Sequence, residues 1–190
     1  MAAPRSSRPA AVAGPQPGET VVYTDGACRG NPGPGGWAWA VPSGPYESGA
    51  EAHTTNQRME VTAVLRALES LGGPVLVVSD STYVVNCFRD RWWEGWIKRG
   101  WKNSQKQPVA NRDLWEPLIE VALDPARTVR FQWVKGHSGD TMNDRVDLLA
   151  TEAAARQTGD AGGGTPALPG PGPLPGGGPE PEPDPPDTLF

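Results

Sequence analysis

The chain has 190 residues, 24 of them glycine and 22 proline, with a formal net charge of −5; this length suits one domain of ordinary size with tails. The two cysteines, Cys28 and Cys87, lie in unrelated contexts, which excludes a disulfide framework and a cysteine-based zinc site and fits a reducing compartment. No apolar run approaches membrane-spanning length, so the sequence predicts a soluble, cytoplasmic protein with no membrane partner.

Residues 1–18 are Ala, Pro, Gly and Ser with Arg5 and Arg8, without hydrophobic periodicity and without the apolar centre of a signal peptide. They read as a disordered arm, only faintly like a transit peptide. From 19 to 156 the pattern is that of one α/β domain. "TVVYTDGA" reads as a strand, "GGWAWAVP" as its antiparallel neighbour and "YESGAEAHTT" as a weaker third strand. In "NQRMEVTAVLRALESLGG" the apolar residues Val61, Val64, Leu65, Leu68 and Leu71 take up helical spacing, and Gly72-Gly73 ends the run. "PVLVVSD" is continuously apolar, as for a strand covered on both faces. Strand, helix, strand in that order predicts a parallel crossover.

The next section, "STYVVNCFRDRWWEGWIKRGWKNSQKQPVANRDLW", predicts two short helices and a loop. Between Asn86 and Arg112, seven Lys and Arg residues oppose Asp90 and Glu94, a local excess of five positive charges. Trp92, Trp93, Trp96 and Trp101 read as packing residues within it. Asp113 with Glu116 resembles a capping box, and Pro117 one turn in predicts a helix that starts late or kinks. "TVRFQWV" alternates like a strand, and "KGHSGDTMN" is a loop before a last helix with Val146, Leu149, Ala150 and Ala153 on one side. Residues 157–190 return to Gly and Pro and predict a disordered tail. That tail holds five acids and no Lys or Arg, so the remainder of the chain is neutral and the overall acidity does not argue against an acidic partner.

Four acids stand at places where a site could form, and each alone has an ordinary reading. Asp25 ends an apolar run before the Gly- and Pro-rich "GACRGNPGPGGW", where an Asp is usually a turn former. Glu60 lies in the first turn of its helix, at the seam of the apolar stripe, where an acid favours the helix N-terminus. Asp80 ends the buried strand, a position where sites gather in open sheets, but it also suits a helix cap before "ST". Asp147 lies beside the apolar stripe of the last helix, with Asn143 one turn earlier on the same side. Should the four meet, their repulsion at about 4 Å is roughly 1 kcal/mol per pair in water and about 4 at intermediate dielectric. Such a cluster would need cations, and oxygen-only donors favour Mg²⁺ or Mn²⁺ over zinc. Spacing leaves open whether they meet.

The blocks "YTDGACRGNPGPGGW", "TTNQRME", "VVSDSTYV", "WKNSQKQPVANRDLW" and "VKGHSGDTMNDRVDLLA" resemble type 1 ribonuclease H of the bacterial kind, in family order across residues 19–156. The resemblance implies a ribonuclease H-like α/β fold, a five-stranded mixed sheet in order 3-2-1-4-5 flanked by helices. It implies a monomeric endonuclease that hydrolyses the RNA strand of an RNA–DNA hybrid with two Mg²⁺ ions, leaving 5′-phosphate and 3′-hydroxyl ends. The family's four carboxylates fall on Asp25, Glu60, Asp80 and Asp147, and its mobile histidine on His137; His53 has no such context. Cys28 and Asn31 fall where the family contacts substrate near the sugars. Thr55, Asn56 and Arg58 match its pocket for a phosphate of the DNA strand. Lys98, Arg99, Lys102 and Lys106, with Arg112, fall on its basic protrusion, and Asn143 is grouped with the substrate-binding residues. The chain departs from the family in two places: "NSQKQPVAN" is less rich in lysine, and Thr82 stands where relatives often carry Gln. Two other classes stay open at this level, a hybrid-binding module without catalysis and a DNA-directed transposase or junction nuclease core. No acid is missing, which disfavours the first, and "GNPGPGGW" with "KGHSGD" disfavours the second.

Overall fold

The computed structural model describes residues 14–163. Most of the expected arm and most of the expected acidic tail lie outside the described residues. Three strands open the domain as an antiparallel meander: β1 (Thr20–Cys28), β2 (Gly33–Ala40) and β3 (Tyr46–Thr54). The helix α1 (Asn56–Ser70) then crosses over to β4 (Val75–Ser79), which pairs with β1 in parallel as the strand–helix–strand pattern requires. Two short helices follow, α2 (Thr82–Arg89) and α3 (Trp92–Lys98), then α4 (Arg112–Ala122), β5 (Val129–Trp133) parallel to β4, and α5 (Thr141–Arg156).

The five expected strands stand in the expected order, but the sheet has six. Ala161–Gly162 form a further short strand, β6, antiparallel to β3, giving β5-β4-β1-β2-β3-β6. The sequence reading placed these residues in the tail. Their side chains give no strand signal, and only the open edge of β3 recruits them.

Alternation along the strands divides the core between two faces. Val22, Trp37 and Trp39 pack with Met59, Val64, Leu65 and Leu68 of α1. Ala38 and Ala40, one residue out of phase, pack with Val146 and Ala150 of α5. Every residue of β4 is buried, as its unbroken apolar run predicts.

On the first face, Trp96 and Trp115 meet edge-on with centroids 5.4 Å apart, Tyr83 meets Trp115 at 5.3 Å, and Trp101 lies 6.2 Å from Trp96. Trp92, Trp93 and Trp101 pack against this cluster, so these tryptophans are core residues, as their reading required. The capping box predicted for α4 is absent. Its N-cap is Asn111, in the left-handed region and without a side-chain cap. Pro117 lies inside an uninterrupted helix. The two acids of that box serve elsewhere: Glu116 accepts from Arg112, and Asp113 accepts from Arg58 of α1.

Candidate active site

The four acids reach one place from four elements. Asp25 on β1 and Glu60 on α1 are buried, and the position next to Asp25 explains how they approach. A Cβ on Gly26 would collide with the backbone of Met59 and Glu60, so only glycine lets this turn of α1 sit against the strand. Asp25 Oδ1 accepts from the Gly26 amide at 2.7 Å. Glu60 Oε1 accepts from Asn56 Nδ2 at 3.1 Å, and Oε2 accepts from the Ser81 hydroxyl. Ser81, not Asp80, is the N-cap of α2, which leaves the Asp80 carboxylate free of that task.

Asp80 is held by the β5–α5 connection. Its carbonyl accepts from Trp133 Nε1 at 2.9 Å, and Oδ2 accepts from Asn143 Nδ2, also at 2.9 Å. A Cβ on Gly136 would stand 2.7 Å from that same Oδ2. Asn143 is only 2 % exposed, and its amide nitrogen is turned onto the Asp80 carboxylate. Its place one turn before Asp147 in α5 puts its amide at the carboxylate of the neighbouring strand end.

Electrostatics agree that the acids meet. The Asp25 carboxyl is pushed well above the ordinary aspartate range, first by burial and then by the charges of Asp80, Asp147 and Glu60. Asp147 is raised as well, chiefly by burial; the charge of His137 opposes this, Asp80 adds to it, and a hydrogen bond with Asp25 offsets part. His137 therefore lies within electrostatic reach of Asp147. It sits in the left-handed region at φ 52°, exposed, with Gly139 at φ 87° two residues on.

Among the described residues, no group of three or more His, Cys, Asp or Glu side chains is arranged, as the side chains stand, so that it could hold a metal ion. The carboxylates are instead tied to local donors, Glu60 to Ser81 and Asn56, Asp80 to Asn143. The donor set nevertheless fits hard divalent cations. It is all oxygen, it is partly buried, and its mutual repulsion is what a cation would relieve.

The residues matched to substrate contacts form two groups. Cys28, Asn31, Thr55 and Asn56 gather where the β1–β2 loop meets the start of α1. Asn31 Oδ1 accepts from the Asn56 amide at 3.0 Å, Thr55 Oγ1 caps the helix through the Arg58 amide at 3.3 Å, and Cys28 Sγ donates to the Thr54 carbonyl at 3.3 Å. Arg58 is half-buried and paired with Asp113 and Glu51. Lys98, Lys102 and Lys106 are exposed on α3 and the loop after it, while Arg99 is half-buried with Nε donating to the Lys102 carbonyl at 3.1 Å.

An RNase H family model matches residues 17–155. The chain belongs to the ribonuclease H family. It is 50% identical over 141 residues to the ribonuclease H of Syntrophomonas wolfei, spanning 71% of this chain and 95% of that one. It is 48% identical to the ribonuclease H of Thermus thermophilus over 149 residues, 75% of this chain and 89% of the relative. The crystal structure of LC9-RNase H1, described as a type 1 RNase H with the type 2 active-site motif, superposes with a TM-score of 0.64 at 29% identity, covering 74% of this chain and 75% of that one. Within this ribonuclease H, the sequence reading passed over Ser81, Trp133, Gly26 and Gly136. "DST" after a buried strand carried a signal for the Ser81 cap. Trp133 read as one more alternating strand residue, because its bond to a backbone carbonyl leaves no trace in a pattern of side chains.

Proposed function

We propose that this ribonuclease H hydrolyses the RNA strand of RNA–DNA hybrids at the Asp25 cluster, leaving 5′-phosphate and 3′-hydroxyl ends. The observation that carries the reading is the convergence of Asp25, Glu60, Asp80 and Asp147 from β1, α1, the end of β4 and α5, close enough to drive the Asp25 carboxyl upward. These four would hold two divalent cations, Mg²⁺ or Mn²⁺, which when bound supply charge neutralisation and activation of water for an in-line displacement.

The chain's own residues set the stage for that chemistry. Asn143, Trp133 and Gly136 fix Asp80 from three sides, and Ser81 with Asn56 fixes Glu60. Burial and mutual repulsion hold the Asp25 and Asp147 carboxyls above their ordinary range, and bound cations would relieve that repulsion. His137, on the loop before α5 and within electrostatic reach of Asp147, serves as a proton shuttle, taking a proton from solvent and donating it as the acid to the departing 3′-oxygen, or assists product release. Cys28, Asn31 and Asn56 line the approach to the cluster, and the A-like minor groove of a hybrid presents 2′-hydroxyls there. Thr55, Asn56 and Arg58 take a phosphate of the DNA strand at the start of α1. Lys98, Lys102, Lys106 and Arg99 contribute to holding further phosphates. On this reading the enzyme works as a monomer in the cytoplasm.

Cleavage of one matched sequence as hybrid, as RNA duplex and as DNA duplex, with and without Mg²⁺, tests the proposal. Only the hybrid should be cut, only in its RNA strand, and only with the cation. Cleavage of the DNA duplex, or binding of hybrid without cleavage, would overturn it in favour of the other two classes.

A further inference from the structure

Arg58 sits on α1 two residues before Glu60, and both edges of its guanidinium are occupied. Nη1 and Nη2 donate to Oδ1 and Oδ2 of Asp113 at 3.0 and 2.7 Å, a two-pronged pair across the end of the group. Nε donates to Oε2 of Glu51 at 3.4 Å. The acids come from elements far apart in sequence, Glu51 from β3 and Asp113 from the first turn of α4. One cation and two anions therefore stand where a polyanion is to dock, a local charge of the wrong sign.

A phosphate and a carboxylate use the same face of a guanidinium, in the same planar, two-pronged geometry. Arg58 cannot offer its Nη edge to a phosphate while Asp113 holds it. We propose that Asp113, aided by Glu51, is a built-in competitor for Arg58 that weakens hybrid binding and sets its salt dependence. This rests on the reading of Arg58 as a phosphate ligand given above.

Isolated surface ion pairs contribute little, but this one departs from that pattern in geometry and setting. It is bidentate, the Arg58 side chain is 28 % exposed, and a second acid holds it in place. The same bond holds the Arg58 guanidinium above its ordinary range and the Asp113 carboxyl below its own, so both partners register it. Asp113 is 62 % exposed, which lets its carboxylate swing into water when a phosphate arrives. The pair is thus strong enough to compete and open enough to yield. Binding then selects for a strand whose phosphate is placed well enough to displace an acid, and loosely held polyanions are discriminated against.

The test measures hybrid affinity by fluorescence anisotropy in the full chain carrying Asp25→Asn, so that nothing is cleaved, across a salt series. Four proteins form a cycle: the parent, Asp113→Asn, Arg58→Ala and the double variant. Asp113→Asn should tighten binding and steepen the slope of log affinity against log salt by up to about 0.9, the increment of one more neutralised phosphate. Its advantage should then shrink about threefold between roughly 50 and 200 mM salt. In the Arg58→Ala background the same substitution should change nothing, and Glu51→Gln alone should act in the same direction, more weakly. An unchanged or weakened affinity for Asp113→Asn overturns the inference, as does an equal tightening without Arg58, which would mark a general charge effect. If Arg58→Ala binds like its parent, the phosphate reading of Arg58 itself falls; if it weakens binding while Asp113→Asn does not tighten it, that reading stands and only the competition falls. Melting curves accompany each protein, and should Asp113→Asn unfold, Glu51→Gln carries the test alone, an unchanged affinity again overturning it.

Discussion

At the scale of single residues, Asp25 shows how a cluster of acids weakens the protein that builds it. Its carboxyl is held above the ordinary value of 3.8 by burial and by three neighbouring acids, and Asp147 is shifted in the same direction. A folded-state value above the unfolded one means that folding favours the protonated form. That contribution is complete below the unfolded value and is lost as pH rises through the raised one. Glu19 and Asp113, held low by Arg130 and Arg58, act in the opposite sense, but only below about pH 4.5. In a chelating buffer the wild-type melting temperature should therefore fall from mildly acidic to neutral pH. Asp25→Asn should abolish cleavage, because the amide keeps the shape and loses the charge, and it should also raise the cation-free melting temperature at neutral pH. The rise should be about 2–4 °C for each kcal/mol of repulsion relieved, and it should shrink toward acidic pH. Added Mg²⁺ should stabilise the wild type more than the variant. Melting curves with and without Mg²⁺ over a pH series check all of this; a folded variant that still turns over normally, or that melts lower throughout, contradicts it.

At the scale of elements, what could be read from the sequence divides along a physical line. β4, α1 and α5 were legible because their burial is periodic or continuous, and Val75–Ser79 or Val64, Leu65 and Leu68 carry that pattern in their own side chains. The acids were legible as candidates but not as a cluster, since spacing in sequence says nothing of whether β1, β4, α1 and α5 end together. The resemblance supplied that step. The start of α4 was misread because Asp113 and Glu116 have the right local spacing for a cap, while the partner that decides, Arg58, is 55 residues away. The basic protrusion shows the same division. Its tryptophans read correctly as core, while the sequence gives no sign that the Arg99 guanidinium, expected at a phosphate, also bonds the Lys102 carbonyl and packs over Gly95. Replacing Lys98, Lys102 and Lys106 together by Ala should shallow the salt slope of hybrid binding by up to about 0.9 for each phosphate no longer neutralised. The melting temperature and the maximal rate should stay close to wild type, because no core residue and no acid is touched. Arg99→Ala should instead lower the melting temperature with a smaller change in slope. A triple variant with unchanged slope would mean that the hybrid is held elsewhere.

At the scale of the whole molecule, residues flanking the described domain tie back onto its sheet, and at β3 they cover its edge. Before β1, Glu19 forms a two-pronged pair with Arg130 of β5, at 2.8 and 2.6 Å. On the β3 side, the segment after α5 folds back. The Asp160 carbonyl accepts from the Ser48 amide at 2.7 Å, the Asp160 amide donates to Ser48 Oγ at 3.0 Å, and Tyr46 donates its hydroxyl to Asp160 Oδ2 at 3.1 Å. β6 then pairs Ala161 and Gly162 with Glu47 and Tyr46. Tyr46 in turn lies under Arg145 of α5, 5.3 Å from its ring centre, two residues before Asp147. An open β3 would present unpaired backbone groups along an edge, the feature that leads sheets to associate. A chain ending at Gly163 keeps this cover, and a chain ending at Gln157 removes it together with the bonds to Asp160. Each bond contributes about 0.5–1.5 kcal/mol net, so the shorter chain should melt several degrees lower and associate more readily as concentration rises. Its cleavage rate well below the melting temperature should match that of the longer chain, because every acid is retained. Melting and light scattering on the two chains decide the matter: equal stability would show that β6 merely rests on the edge, and a loss of activity in the folded, shorter chain would show that the Tyr46–Arg145 pair transmits the edge to the acids of α5.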